Sequence, residues 1–462
     1  MLLRDLFVFS VVFGSLPFCF TRPYYGLLVF SWLGYMRAQD LAWGPARYFR
    51  FSFYVAILMF AGWLFFEKRP FMRKDKRTLL LIALMVWIYI SILLNSADGT
   101  IYFLAPVLKR SEEFAKVIAV ALFTTGMVDS KKRLHVLIWL IAFSLGFYGL
   151  KGAFWGALSG GRIIQGPGGM MKDNNDFCLA LNMALPFVYY LALTSPRRDL
   201  RLFLFFTVFC MVVTIVLTTS RGGFLTVLAV GFVLTMKSHR KALGLTVGSL
   251  AIVIFLVSLP GYYVARMRTI KDPAEEASAR ARLDSWKTAW HMIEDRPVVG
   301  VGFYNFRAVF WMYDVNPDIR KGTVSRVAHN TYLQLWAESG TPALLLFLSA
   351  ISLSIWRMRR LRRWNRLHAG PLWITNYAHM VEVSLIAFLV GGMFLNRAHF
   401  DLLYHAVAIS VCLDRIAPGV IEELRPKGRR ASRGALPQVK TADPFLVPVR
   451  GLERPEVVKV GA

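Results

Sequence analysis

Cysteine is scarce in this sequence, with 4 residues in a chain of 462. Each lies inside an apolar segment rather than in a polar loop, and no two have a paired spacing. This pattern argues against a disulfide framework and against a cysteine-ligated metal, and it disfavours a thiol nucleophile in an outer loop. We interpret all four as small buried hydrophobic side chains: Cys19, Cys178, Cys210 and Cys412.

Acidic residues are also few, with 28 Asp and Glu against 55 Lys and Arg, a formal net charge of +27. Such an excess can mark a nucleic-acid-binding protein, but its position in the chain decides the meaning. The basic residues cluster in short connectors between apolar runs, and the positive-inside rule places such connectors in the cytoplasm. Nucleic acid is therefore not implied. The clusters lie at 68–77, 131–133, 197–201, 237–241 and 357–366.

Apolar residues dominate instead. The chain is 56% hydrophobic and 14% aromatic, with a mean hydropathy of +0.47, and its repeated apolar runs approach the length that crosses a bilayer. The sequence predicts an all-α polytopic integral membrane protein. No small-residue cleavage site follows the first run, so we expect a retained segment rather than a signal peptide.

Thirteen apolar runs are candidate spans. Two full spans before residue 51 would put the N-terminus outside, given a cytoplasmic 67–77 connector. If one of the first two short runs is re-entrant or interfacial, twelve spans remain and both termini are inside, and we prefer this count. The runs are approximately 6–20, 24–36, 51–66, 78–94, 113–128, 133–154, 174–193, 200–219, 222–236, 242–258, 342–357, 378–396 and 400–416.

The spans divide the chain into four regions. We expect N-terminal transmembrane helices over 1–258, a large outer loop over 259–341, C-terminal transmembrane helices over 342–416 and a largely disordered cytoplasmic tail over 417–462. The outer loop is too long for a simple turn, and its eleven Lys and Arg nearly balance its nine Asp and Glu. Because the loop as a whole carries little net charge, the role of each of its arginines must be considered separately.

His329 is the candidate chemical centre of this loop. It lies beside Asn330 and three residues after Arg326, shortly before an apolar helix that starts near Thr341. From the sequence alone, the alternative is that His329 caps that helix or fills an interface. A neutral histidine suits a general base, because its ordinary pKa is close to the working pH.

Arginines on the outer side are the second set of candidates. Arg282 shares a helical face with Trp286 and Trp290, whereas Arg280 projects elsewhere, and either arginine may serve only packing or solvation. Arg221 lies in a short outer turn before two glycines, where we favour phosphate binding over contact with lipid headgroups. Asn175 opens a helix after a Gly-rich loop, and an ordinary helix cap is its alternative role.

The order of these motifs resembles the O-antigen ligase and polymerase superfamily. The features are Asn174-Asn175, Thr219 to Gly223, Arg282 with Trp286, Gly300-Val301-Gly302, and His329-Asn330 through Glu338 to Gly340. The segment from Gly300 to Phe306, with two glycines and alternating aromatic residues, is predicted to be a tight extended packing segment. Arg22-Pro23-Tyr24 and the 166–176 stretch are most similar to the exosortase-A-associated O-glycosylation ligases. The resemblance covers roughly residues 1–415 and excludes the tail.

The resemblance implies transfer of a glycan from undecaprenyl diphosphate to an acceptor hydroxyl on lipid A core, another glycan or a protein. The reaction would be a metal-independent inverting displacement without a cofactor, at the periplasmic face of the bacterial inner membrane, among membrane lipids. His329 would be catalytic. Arg221, Arg282 and Arg280 would bind the donor diphosphate, supported by Asn330, Asn175 and Arg326.

Two alternatives remain open at this point. A glycan polymerase of the same superfamily would differ only in its acceptor. A transporter or flippase for a lipid-linked glycan would also be polytopic, with arginines near a cavity. The spans carry few central carboxylates that could couple transport to protons, which favours the enzyme.

Overall fold

The computed structural model describes residues 2–159, 161, 163–238, 273–314 and 326–424. This part of the chain forms fourteen α-helices and one two-stranded sheet, which confirms the all-α polytopic class. Among the described residues, eight helices are long and apolar enough to cross a membrane, judged by length and composition. The candidate span at 242–258 lies outside the described residues, as does the tail from residue 425 onward.

The helices follow the apolar runs closely. In the N-terminal half they are α1 (Leu2–Thr21), α2 (Pro23–Tyr35), α3 (Phe51–Phe66), α4 (Lys76–Ala97), α5 (Leu104–Met127), α6 (Lys131–Ser159), α7 (Asn174–Thr194), α8 (Arg198–Leu217) and α9 (Arg221–Lys237). The antiparallel strands β1 (Gln165–Gly168) and β2 (Met171–Asp173) form a hairpin between α6 and α7. The C-terminal half contains α10 (Pro273–Asp295), α11 (Phe306–Tyr313), α12 (Thr331–Leu367), α13 (Leu372–Gly391) and α14 (Asp401–Leu424).

Helices α1 and α3 run in the same direction, and α2 runs antiparallel to both. An Asp5 carboxylate oxygen near the start of α1 accepts a hydrogen bond from the Ala46 backbone N–H at 3.0 Å. At the other end of α1, the Phe20 ring packs edge-on against Phe66, with centroids 5.0 Å apart. The start of α1 therefore lies at the same end of the bundle as the connection between α2 and α3.

Helix α2 also passes from one end to the other. The Tyr24 hydroxyl donates to the Arg133 carbonyl, in a basic connector, at 2.8 Å. The carbonyl of Met36, just after α2, accepts from the Tyr148 hydroxyl at 2.6 Å. With 13 residues, α2 is about 20 Å long, which is short for a span. The start of α1 thus lies at the end of the bundle opposite the basic connectors, and the number of membrane spans stays a prediction.

Buried ion pairs mark the end of the bundle that holds the basic connectors. Arg77 is fully buried and contacts Asp414 of α14 at 2.6 Å. Glu382 of α13 is 1% exposed and binds Lys237 at 2.7 Å, with arginines of α12 around it. Burial of these carboxylates is compatible with stability because each is paired with cations. Helix α14 continues to Leu424, beyond the predicted boundary at 416.

Helix α12 is broken near its start. Gly340 has φ +77 and ψ 178, and Pro342 follows it. The Val301 and Gly302 backbone N–H groups donate to the Ala337 and Glu338 carbonyls at 2.9 and 2.8 Å. The 300–302 segment packs closely, as predicted, but the prediction that it is extended is wrong. The segment forms turns, because Gly300 and Gly302 both have positive φ.

A small second core joins the described part of the 259–341 region to α12. It contains Met292 of α10, Val301, and Phe306 and Phe310 of α11, packed with Ala337 of α12. The helix predicted around 277–290 is confirmed as part of α10. This core places α10 beside the first turns of α12, where His329 lies.

Candidate active site

His329 occupies a strained turn at the start of α12. Its φ is +47, a left-handed conformation that is uncommon for residues other than glycine. On one side, the Ala328 carbonyl accepts a hydrogen bond from Trp286 Nε1 at 2.8 Å. On the other, Asn330 caps α12, because its side-chain oxygen accepts from the Tyr332 N–H at 3.0 Å. Ala328 and Asn330 are buried, so the turn holds the exposed His329 side chain from both sides.

The environment of His329 lowers the pKa of its imidazole below the ordinary value. Desolvation by the surrounding protein is the main cause, even though part of the side chain stays exposed. The positive charge of Arg282 lowers the pKa further, the negative charge of Asp173 raises it, and Arg307 lowers it. The ring is therefore neutral near pH 7, the state that can accept a proton.

Asp173 reaches the site from the start of α7. Its carboxylate accepts from the Asn175 backbone N–H at 2.8 Å and from the Asn175 side-chain amide at 2.9 Å. The Asn174 side-chain amide donates to the Thr218 carbonyl at 2.9 Å, which joins this turn to the segment before α9. Asn175 thus orients Asp173 as well as taking part in the start of the helix.

A buried ion pair stabilises the same region, and the sequence did not predict it. The Arg397 guanidinium donates from Nε to Asp176 at 2.7 Å, and a second nitrogen contacts the other carboxylate oxygen. The Arg397 backbone N–H donates to the Thr331 hydroxyl at 3.0 Å, and that hydroxyl donates to the Leu395 carbonyl at 2.7 Å. The first turn of α7, the 395–400 connection and the first residue of α12 are thereby held together.

Arg221 lies at the start of α9, in a turn built like the one at His329. Thr219 has φ +53, and the following Ser220 caps the helix by accepting from the Gly223 N–H at 3.1 Å. Gly222 packs against Phe394, because a Cβ at this position would lie 2.6 Å from the Phe394 Cβ. The start of α9, which carries the exposed Arg221, therefore lies against the 394–395 segment, and the same segment accepts a hydrogen bond from Thr331.

The structure brings only some of the predicted residues to His329. Arg282 is exposed on α10, and its positive charge lowers the pKa of the His329 imidazole. Arg307 of α11, which the sequence did not predict, has the same effect. Arg326 is half-buried in the same loop. Arg280 lies on α10, but its side chain is outside the described part of the chain. Arg307 could have been selected from the sequence, because it lies in the nearly neutral 259–341 region, five residues after Gly302.

Comparison with known families agrees with this geometry. Residues 3–180 match a family of unknown function (DUF5935). Residues 206–348 match the family described as O-Antigen ligase, and this range includes Arg221, Arg282, Arg307 and His329. No curated protein matches the chain. The exosortase-A-associated subgroup stays a prediction. By this match, residues 206–348 are an O-antigen ligase domain, which supports the resemblance of the chain to the O-antigen ligase superfamily.

Proposed function

We propose that this chain transfers a glycan from undecaprenyl diphosphate to an acceptor hydroxyl at the periplasmic face of the bacterial inner membrane. The observation that carries the proposal is the exposed His329, whose pKa is lowered by desolvation and by the charge of Arg282. A neutral base next to cationic groups suits an attack by a hydroxyl with departure of an anionic leaving group.

His329 acts as the general base in this proposal. Its neutral ring nitrogen removes the proton from the acceptor hydroxyl as the oxygen bonds to the anomeric carbon. The bond from that carbon to the diphosphate oxygen breaks on the opposite face, so the configuration inverts. The Asp173 carboxylate stabilises the imidazolium that forms, consistent with its raising effect on the pKa of His329. The proton then leaves to water.

The arginines hold the departing diphosphate. Arg282 and Arg307 lie on two helices beside His329, and Arg221 stands at the start of α9. Guanidinium groups match phosphate oxygens through planar pairs of N–H donors, which a point charge does not reproduce. Arg280, on the same helix as Arg282, is a further candidate. As the resemblance implies, the mechanism proceeds without a metal or cofactor.

The position of the site in the bundle supports a periplasmic location. His329 precedes α12, whereas Arg357 and Arg359 near the other end of α12 contact Asp414 and Glu382. That other end carries the basic connectors that the positive-inside rule assigns to the cytoplasm. The acceptor is lipid A core, a protein or, in a polymerase, the end of another glycan.

Cysteine labelling tests this orientation. All four native cysteines are buried, so background reaction with an impermeant maleimide should be low. A cysteine that replaces the exposed Lys287 of α10 should react in intact cells, whereas one that replaces the exposed Lys74 should react only after permeabilisation. The reverse pattern would separate the site from its substrate's compartment.

The reaction itself is tested with purified protein, an undecaprenyl-diphosphate glycan and candidate acceptors. His329→Ala should lower transfer by about 10²–10⁴-fold while donor binding stays close to normal, because a general base contributes about that much. His368→Ala, at the far end of α12, is the matched control and should keep full activity. Substantial transfer by His329→Ala, or a trapped glycosyl-enzyme with retained configuration, would contradict the mechanism. Lipid translocation without a covalent product would indicate a transporter.

A further inference from the structure

A groove runs along α10 beside the His329 turn. Its volume is about 640 Å³, within the roughly 300–1,000 Å³ of small-molecule sites. Trp286 and Trp290 line it, one helical turn apart, together with Leu333 of α12. Leu333 follows His329 by four residues, and Trp286 is bonded to the carbonyl next to His329. The groove therefore lies next to the candidate active site.

The indole of Trp290 forms a fixed platform in this groove. Its Nε1 donates to a Glu294 carboxylate oxygen at 2.6 Å. Its ring meets Trp336 edge-on, with centroids 5.7 Å apart and an interplanar angle of 84°. Even so, Trp290 remains 47% exposed. An aromatic ring that is held in place but open offers contact area with little loss of conformational entropy.

Polar side chains accompany the aromatic ones. Asp284, Lys287 and His291 also line the groove, and Lys287 is exposed. A lipid chain seated here would desolvate a carboxylate and an ammonium group without giving them hydrogen bonds, which is costly. A pyranose ring fits better, because its C–H face lies on an indole while its hydroxyls bond to the groups around it.

We propose that this groove binds pyranose rings of the glycan next to the sugar that reacts, with Trp290 as the stacking platform. The proposal rests on the proposed function, because it assigns a sugar subsite to the same active site. The rings could belong to the lipid-linked donor or to a glycan acceptor, and both present the same chemistry. Sugar bound here would extend along α10 from His329.

The test measures binding to the full-length protein in nanodiscs. The probes are the lipid-linked glycan from cells that make it, the same glycan freed by mild acid, and undecaprenyl diphosphate without sugar. We expect the freed glycan to bind the wild-type chain and to bind Trp290→Ala at least about tenfold more weakly. Trp290→Phe should recover much of the affinity. Trp43→Ala, which removes another exposed indole, between α2 and α3, should have no effect.

Binding and transfer together separate this proposal from the function it rests on. Trp290→Ala should raise the KM for the donor if the donor glycan fills the groove, and the KM for the acceptor if the acceptor does, with kcat largely kept. Trp290-dependent glycan binding by a wild-type chain that transfers nothing would support the groove and overturn the proposed function. Unchanged glycan binding by Trp290→Ala, or equal competition from the sugar-free carrier, would overturn the groove proposal.

Discussion

The ion pair between Arg397 and Asp176 is expected to be a main determinant of stability at the end of the bundle next to His329. The side chain of Asp176 is 3% exposed and that of Arg397 is 25% exposed. Removing one member of a buried pair leaves an uncompensated charge and costs about 3–5 kcal/mol. Arg397→Met should therefore lower the ratio of folded to unfolded protein on the order of 10²–10⁴-fold. Transfer should also fall, because the ion pair fixes the 395–400 connection, whose backbone N–H at residue 397 donates to Thr331, two residues after His329.

A double-mutant cycle measures this effect. Arg397→Met, Asp176→Asn and the combined variant are unfolded at equilibrium by denaturing detergent in bicelles. The combined loss should be clearly smaller than the sum of the single losses, since the second change removes a charge that is already unpaired. Arg197→Met, in a pair whose side chains are 74% and 72% exposed, is the control and should change little. Single losses that add within about 0.3–0.5 kcal/mol would refute the reasoning.

Three further predictions follow from the site. The acid limb of the transfer rate should lie below the ordinary histidine pKa of about 6.5, because a base must be neutral and the pKa of His329 is lowered. In pH profiles, Asp173→Asn should move this limb to lower pH and Arg282→Gln to higher pH, and opposite shifts would contradict the assigned charges. Arg282→Lys should lose roughly ten- to a hundredfold in transfer assays, since a charged hydrogen bond contributes about 1.5–3 kcal/mol; full activity would remove Arg282 from the diphosphate site. Gly340→Ala should reduce the yield of folded protein in size-exclusion profiles, because its Cβ would lie 1.8 Å from a carbonyl oxygen, whereas Gly231→Ala has open space and should be tolerated.

Much of the fold was predictable because the signal is local. Apolar runs located the helices, and the helix around 277–290 was visible from its spacing. The path of the first two helices could not be predicted from the sequence. It depends on contacts between distant residues, such as that of Asp5 with Ala46, 41 residues away. Composition alone does not decide whether a helix as short as α2 crosses a membrane or lies at its surface.

The site was predictable only in part for a related reason. His329 and Arg282 belong to recognisable motifs, and the structure brings them together. Asp176 and Arg397 are 221 residues apart, and the sequence around either residue does not indicate that the two form an ion pair. The position of Arg397 gave no signal either, because an arginine at the end of an apolar run commonly reaches the lipid headgroups without a protein partner.

The break in α12 limits how this protein can diversify. The carbonyls of Ala337 and Glu338 are bound by the N–H groups of Val301 and Gly302, and Ala337 belongs to the same small core as Phe310. Recombination between relatives with a crossover between residues 310 and 337 would separate these partners. Such chimaeras should fold poorly, whereas crossovers beyond Leu367 keep the partners together. New sugar specificities would then arise by point substitution along α10 rather than by exchange of whole outer loops.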